Sequence, residues 1–211
     1  MNIPKHEVFD KYLEDYEKWF EDNFYVYQSE LAALRKLIPT DGEGVEIGVG
    51  SGIFAKPLGI KNGCDPSEKM REKAKERGIN AIYGVAENLP YPSESFDFAI
   101  MITTLCFVDD PDKAIAEVYR ILKNNGNFIV AFVDKDSLIG KEYLKHKDES
   151  VFYKNANFFS TVEVYELLER NNFKIIDTVQ TIFGRLEDIK QIQEPAPSYG
   201  KGSFVVIKAE K

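Results

Sequence analysis

Val45-Glu46-Ile47-Gly48-Val49-Gly50-Ser51-Gly52 decides the reading of this chain: an apolar run carrying a carboxylate passes directly into glycines at alternate positions. Such a stretch reads as a strand entering a tight turn. At the turn, glycine lets a ligand approach the main chain without meeting a Cβ, and the following helix start offers unpaired N–H groups. A dinucleotide fingerprint requires a third glycine at the sixth position of the motif, where this chain has Ile53. A phosphate-binding loop requires Gly-Lys-Ser/Thr, which is absent from the turn.

Further signals follow in chain order. Cys64-Asp65-Pro66-Ser67 places a carboxylate at the expected end of a second, short strand. Ser67 is also positioned to cap a helix through Met70 and Ala74 to Gly78. Tyr83-Gly84-Val85-Ala86-Glu87-Asn88-Leu89-Pro90-Tyr91 follows a third strand, and Ser95 to Ile102 is a fourth, leading into Thr103-Thr104-Leu105-Cys106. Asp110 and Pro111 then read as the cap and first residue of a helix in which Ala114, Ile115, Val118, Ile121 and Leu122 recur at helical spacing, continuing to Lys123.

Taken together, the segments over residues 45 to 134 resemble the class I S-adenosylmethionine-dependent methyltransferases, and specifically the type-11 methyltransferase group. The resemblance implies an α/β, Rossmann-like fold: a seven-stranded, mostly parallel sheet with an antiparallel last strand and helices on both faces. It implies S-adenosyl-L-methionine as methyl donor and S-adenosyl-L-homocysteine as product. The implied cofactor contacts are Glu46, Gly48, Gly50 and Gly52 in the first turn, and Asp65, Pro66, Ser67 and Met70 around the second strand's end. They continue with Ala86, Glu87, Asn88 and Leu89 after the third strand, and Thr103, Thr104 and Leu105 after the fourth. Asp65 is the implied acceptor for both ribose hydroxyls. Val85 stands where the family usually carries aspartate, so adenine would be met by main-chain groups of Ala86 and by Glu87.

Beyond the motifs, Asn127 to Asp134 is an apolar run suited to a buried fifth strand. Ser160-Thr161-Val162-Glu163 has the capping-box pattern, Asn171 and Asn172 end that helix, and Phe173 to Phe183 and Phe204 to Lys208 supply the last two strands, which the resemblance implies form an antiparallel edge hairpin. Ile60 to Cys64 is a weak second strand, and Pro57 limits the helix before it. Residues 1 to 30 read as a helical cap or lid on a methyltransferase domain of residues 31 to 211. Within the cap, Val8, Phe9, Tyr12, Leu13, Tyr16, Trp19 and Phe20 fall on one helical face. Residues 1 to 30, 135 to 159 and 184 to 202 lie outside the shared core and are expected to define the acceptor.

Composition narrows the function classes. The chain has 211 residues, 44% hydrophobic, with a formal net charge of −8 and no stretch apolar enough for a membrane span. No basic cluster suggests phosphate neutralisation, so a small-molecule acceptor is expected rather than nucleic acid or a membrane. Met1 leads into a charged segment and two cysteines have no metal-ligand spacing, pointing to a cytoplasmic, metal-free protein, monomeric or homodimeric. Methyl transfer to an N, O or C nucleophile rests on alignment more than on covalent catalysis. His146, Tyr153, Glu142 and Tyr199 are the candidate bases, none assigned, and Cys106 lies near the expected methyl position. The alternative is a non-catalytic sensor or partner-binding protein that binds the same cofactor.

Overall fold

The structure is a computed structural model that describes residues 7–211. The strands are β1 (Gly44–Ile47), β2 (Asn62–Asp65), β3 (Asn80–Tyr83), β4 (Phe96–Ile102), β5 (Leu122–Val133), β6 (Lys174–Thr181), β7 (Ala196–Pro197) and β8 (Phe204–Glu210). They form one sheet in the order β3-β2-β1-β4-β5-β8-β6-β7. From β3 to β5 every pairing is parallel, whereas β8 runs antiparallel to both β5 and β6. The helices are α1 (Glu7–Lys11), α2 (Leu13–Asp22), α3 (Phe24–Leu37), α4 (Ala55–Leu58), α5 (Glu68–Glu76), α6 (Pro111–Ile121), α7 (Leu138–Lys145) and α8 (Thr161–Arg170).

Side chains alternate across the strands and bury both faces, as a sheet covered by helices on each side requires. Ala99 and Met101 of β4 point into a layer completed by Ile115 and Val118 of α6 and Val164 and Leu167 of α8. Phe98, Ile100 and Ile102 point the other way, against Leu31 and Leu34 of α3 and Ala74 of α5. The expected caps are present. Ser67 accepts from the Met70 N–H and Asp110 from the Lys113 N–H, with Pro111 opening α6. Ser160 and Glu163 close a reciprocal capping box on α8.

Several expectations need correction. The sheet has eight strands rather than seven, because Ala196–Pro197 pairs with Val179 and Gln180. Two residues ending in proline give no strand signal, and such a pair is tolerated only at a sheet edge. The last two long strands are antiparallel partners as expected, with β8 between β5 and β6 and only the two-residue β7 beyond them. Helix α6 stops at Ile121, since Leu122 is already extended and pairs with Phe96. A register shift follows and Asn125 takes the left-handed conformation expected of the turn (φ 61°). Strand β2 begins at Asn62 rather than Ile60, and the crossover before it holds one helical turn, ended at Gly59.

The amino-terminal apolar face does not lie on a single helix. It bends at Tyr12 (φ −119°, ψ 34°) and again at Asn23 (φ −111°, ψ 41°), where the Asn23 side chain donates to the Trp19 carbonyl. The expected boundary at residue 30 falls inside α3, which runs unbroken to Leu37 and packs on β6 and β8. From α3 the Tyr27 hydroxyl donates to the Ile53 carbonyl at 2.6 Å, fixing the glycine turn to the same helix. Among the described residues, no helix is long and apolar enough to cross a membrane.

Asp134, just past β5, holds the far side of the fold. Its buried carboxylate accepts from the Asp136 N–H, the Thr161 N–H and the Thr161 hydroxyl, tying the strand end to the start of α8. Asp134→Ala would strand these donors and should lower unfolding free energy by about 2–3 kcal/mol, measured by urea denaturation. A change within experimental error would show that water replaces the carboxylate there.

Candidate cofactor and acceptor cavity

The three motif glycines all have positive φ, at 71°, 51° and 77° for Gly48, Gly50 and Gly52, but they serve different purposes. A Cβ on Gly48 would lie 2.4 Å from the Thr104 side chain, so this position is glycine because the loop after β4 packs on it. A Cβ on Gly52 would press on Ile79 and Ala74 at 3.2–3.3 Å, beneath α5. At Gly50 the nearest atom is the Tyr16 hydroxyl at 3.5 Å across a cavity. Only this glycine leaves bare backbone open to a ligand.

The turn is anchored to the end of β2. The Gly48 and Val49 N–H groups donate to the Cys64 carbonyl at 2.9 and 3.0 Å, and the Gly50 N–H donates to Asp65 Oδ2 at 2.9 Å. Asp65 Oδ1 accepts from the Ser67 N–H at 2.8 Å. Burial raises the Asp65 pKa, opposed by those N–H donors and the nearby Arg71 guanidinium. Each carboxylate oxygen keeps a lone pair beyond these bonds. Glu46, deeper in β1, is buried with one oxygen unpartnered, and burial followed by the Asp65 charge pushes its pKa well up.

Gly48, Gly50 and Asp65 border a cavity of about 490 Å³ at the carboxyl ends of the central strands, beside the point where β1 is flanked by β2 and β4. Size and position suit a small-molecule site in an open parallel sheet. Of the expected contacts, Gly48, Gly50, Asp65, Pro66, Met70, Ala86, Glu87, Thr103 and Thr104 border it. Thr103 is held at φ 48°, an uncommon conformation for a β-branched residue, with its N–H on the Ala131 carbonyl. Glu87 accepts from the Asp109 and Asp110 N–H groups, which links the turn after β3 to the loop after β4. Val85 borders the cavity too, without an acceptor side chain.

Glu46, Gly52, Ser67, Asn88, Leu89 and Leu105 do not border it. Glu46, Gly52, Leu89 and Leu105 are packed beneath the surface, Ser67 caps α5, and Asn88 is exposed. Motif position does not separate residues that line a ligand site from residues that hold the lining in place. Of the acceptor-defining segments, 184 to 202 also stays outside. Its Gln193 N–H is bonded to Ser29 and Ile189 is buried against the sheet.

The remaining walls come from α1 and α2 through Phe9, Tyr16, Trp19 and Phe20, and from the α7 region through Tyr143, Phe152 and Tyr153. Two contacts clasp α1 and α2 to the body. Asp10 accepts from the Ser67 hydroxyl and Lys69 N–H, and Glu17 pairs with Arg77, whose guanidinium also donates to the Ser51 carbonyl in the glycine turn. No motif singles out Glu30, yet it borders the cavity while only 6% exposed. It lies on the buried stripe of Val26, Leu34 and Leu37, and a carboxylate on an apolar helical stripe is the signal that could have found it.

Among the candidate bases, only Tyr153 borders the cavity, and burial pushes its hydroxyl pKa well up, so it is a neutral donor at physiological pH. His146 is exposed beside Glu149, Glu142 is exposed, and Tyr199 packs edge-on against Tyr165. Cys106 borders a separate small void with Tyr153, its thiol donating to the Thr103 carbonyl at 3.2 Å. Among the described residues lining the main cavity there are five acids, Asp15, Glu30, Asp65, Glu87 and Asp109, and no lysine, arginine or histidine. Open backbone at Gly50, a buried carboxylate with lone pairs to spare at Asp65 and an acidic wall fit a sulfonium nucleoside. No group of His, Cys, Asp and Glu among the described residues is arranged to hold a metal.

Two substitutions check this fit. Gly50→Val adds a branched side chain at positive φ in the cavity, and Asp65→Ala removes the carboxylate acceptor, expected to cost about 1–3 kcal/mol. Titration calorimetry with S-adenosyl-L-homocysteine should show both losses. Wild-type affinity in both variants would remove these residues from the site.

Residues 45–130 match the family described as a methyltransferase domain, type 11. The chain is 50% identical to a Thermotoga maritima SAM-dependent methyltransferase of known structure, described as a possible histamine N-methyltransferase. That comparison covers 97% of this chain and 99% of the other, with a TM-score of 0.95. An uncharacterized protein of Methanocaldococcus jannaschii is 47% identical over 204 residues, covering 97% of this chain and 98% of that one. A Haloferax volcanii methyltransferase solved with the Trm112 activator shares the fold, at 19% identity, 96% coverage of each chain and a TM-score of 0.74. With its glycine turn, strand order and cavity all of this kind, the chain belongs to the type-11 group of class I S-adenosylmethionine-dependent methyltransferases.

Proposed function

We propose that this protein transfers a methyl group from S-adenosylmethionine to a nucleophilic atom of a small-molecule acceptor. The observation that carries the reading is the continuity of the cavity, which runs from Gly50 and Asp65 past Thr103 and Thr104 to the aromatic walls of Phe152 and Tyr153. When bound, the cofactor supplies an electrophilic methyl on a sulfonium. Gly50 would admit it against bare backbone, Asp65 would accept from its ribose hydroxyls, and Ala86 and Glu87 would flank its base.

What this chain must do beyond binding is align the acceptor and exclude water. Positioning alone can contribute roughly 7–11 kcal/mol to such a reaction. The aromatic walls serve both ends, as they are rigid, shed water and present electron-rich faces to a cation. The description of the Thermotoga relative favours nitrogen as the accepting atom. The acidic lining and the net charge of −8 disfavour nucleic acid. The alternative, a sensor that binds the same cofactor without turnover, predicts affinity and no product. A screen of amines, phenols, carboxylic acids and quinones with methyl-labelled cofactor separates the two, and labelled product from an amine is the expected outcome. Homocysteine-product affinity with no turnover on any of these classes would favour the sensor.

Helices α1 and α2 act in this reading as a lid, supported by their two clasps across the cavity and by the aromatic side chains they contribute. Lids that admit and retain ligand gain protection when it binds. Hydrogen exchange should slow over residues 7–22 on adding S-adenosyl-L-homocysteine, and Arg77→Ala should abolish most of that gain. Equal exchange with and without ligand would make α1 and α2 a fixed part of the wall.

A further inference from the structure

Glu30 stands out because none of the cofactor contacts uses it. Its carboxyl is nine-tenths buried, borders the cavity, and makes no hydrogen bond or ion pair with any described residue. Burying an unpaired carboxyl is costly, and a site that keeps one in a cleft is a candidate for recognising a ligand of opposite charge. The hydroxyls that share its cavity are those of Tyr16 from α2, Tyr143 from α7 and Tyr153 from the following segment, and the other acids of that lining are Asp15, Asp65, Glu87 and Asp109. Burial raises the pKa of these three hydroxyls, so they stay neutral at physiological pH and bring no charge of their own. In the same cavity the rings of Tyr143 and Tyr153 stack 5.0 Å apart, and Phe9 and Phe152 lie 5.5 Å apart. Electron-rich ring faces in one cavity with a carboxylate, and no cation among the described residues of the lining, suit an ammonium group and disfavour an anionic acceptor.

We propose that Glu30 is the acceptor-binding residue of this cavity: it seats the ammonium of a compact primary or secondary amine among these rings and takes a proton from its nitrogen. The proposal rests on the methyltransferase reading above and names its substrate class. In the proton step an N–H bond breaks and its electron pair stays on nitrogen as the lone pair that a methyl acceptor needs. An O–H bond forms on Glu30, whose carboxylate becomes the neutral acid. Drawing a proton from an alkylammonium onto an ordinary carboxylate is unfavourable by roughly 10⁶. Desolvation raises the Glu30 pKa to about 8, which reduces that factor to roughly 10².

Calorimetry on the full chain saturated with S-adenosyl-L-homocysteine tests the proposal, with 2-phenylethylamine as probe and 2-phenylethanol as its uncharged counterpart. The amine should bind at least tenfold more tightly than the alcohol. Its binding at pH 7 should release close to one proton, read from heats in buffers of different ionisation enthalpy, because an empty Glu30 is mostly protonated there. Glu30→Gln should reduce the preference to twofold or less and abolish proton release while leaving homocysteine-product affinity within twofold. Equal affinity for amine and alcohol, binding of neither, or a preference that survives in Glu30→Gln would overturn the role of Glu30. Should that variant fail to fold, the wild-type comparison and its proton count still decide. Failure of the wild-type chain to bind S-adenosyl-L-homocysteine at all would instead remove the function on which the proposal rests.

Discussion

Parallel pairing of β1 with both β2 and β4 constrains everything else in this protein. A parallel neighbour can be reached only by a crossover, so each strand ends in a loop on the same edge of the sheet and each return runs over one of its faces. The turns after β1, β2, β3 and β4 therefore meet in one place. The crossover from β1 is short, and its single helical turn leaves the glycines pressed between the end of β2, the loop after β4 and α5. The cavity is the space these four turns cannot fill.

Its chemistry follows from which polar groups the turns bury. Asp65 is held by two backbone N–H groups, so its carboxylate can stay below ground with lone pairs to spare. Glu46 has a single backbone donor, the Ala55 N–H, and Glu30 has none among the described residues, so desolvation pushes both pKa values up. Glu46 is sealed in the sheet away from the cavity wall, while Glu30 opens onto it. The same physical cost thus has a structural consequence in β1 and a chemical one in α3. With no cationic side chain among the described residues of the lining, the cavity suits ligands that bring positive charge.

The covering elements are joined to this core by a few directed contacts. Arg77 on the α5 side reaches both Glu17 in α2 and the Ser51 carbonyl in the glycine turn, so the cover and the turn share one anchor. Asp10 performs a similar task by serving the Ser67 hydroxyl and the Lys69 N–H at the start of α5. Because each contact involves a residue beside the ligand turns, movement of the cover and rearrangement of the turns are mechanically linked.

Local sequence determined much of this fold. The Gly48–Gly52 turn, the caps at Ser67, Asp110 and Ser160, and the apolar alternation of β4 and β5 are short-range patterns whose physics is complete within a few residues. They were enough to identify the family and to place Gly50, Asp65 and Thr103 beside the ligand space. Only tertiary structure decided the rest. It bent the amino-terminal face at Tyr12 and Asn23, added Ala196–Pro197 to the sheet edge, and set segment 184–202 away from the cavity. It also selected Tyr153 over His146, Glu142 and Tyr199, and brought in Glu30 from a helix that carries no motif. Those outcomes depend on contacts between residues far apart in the chain, where burial and the identity of the neighbours, rather than residue type or spacing, determine what a carboxyl or a hydroxyl can do.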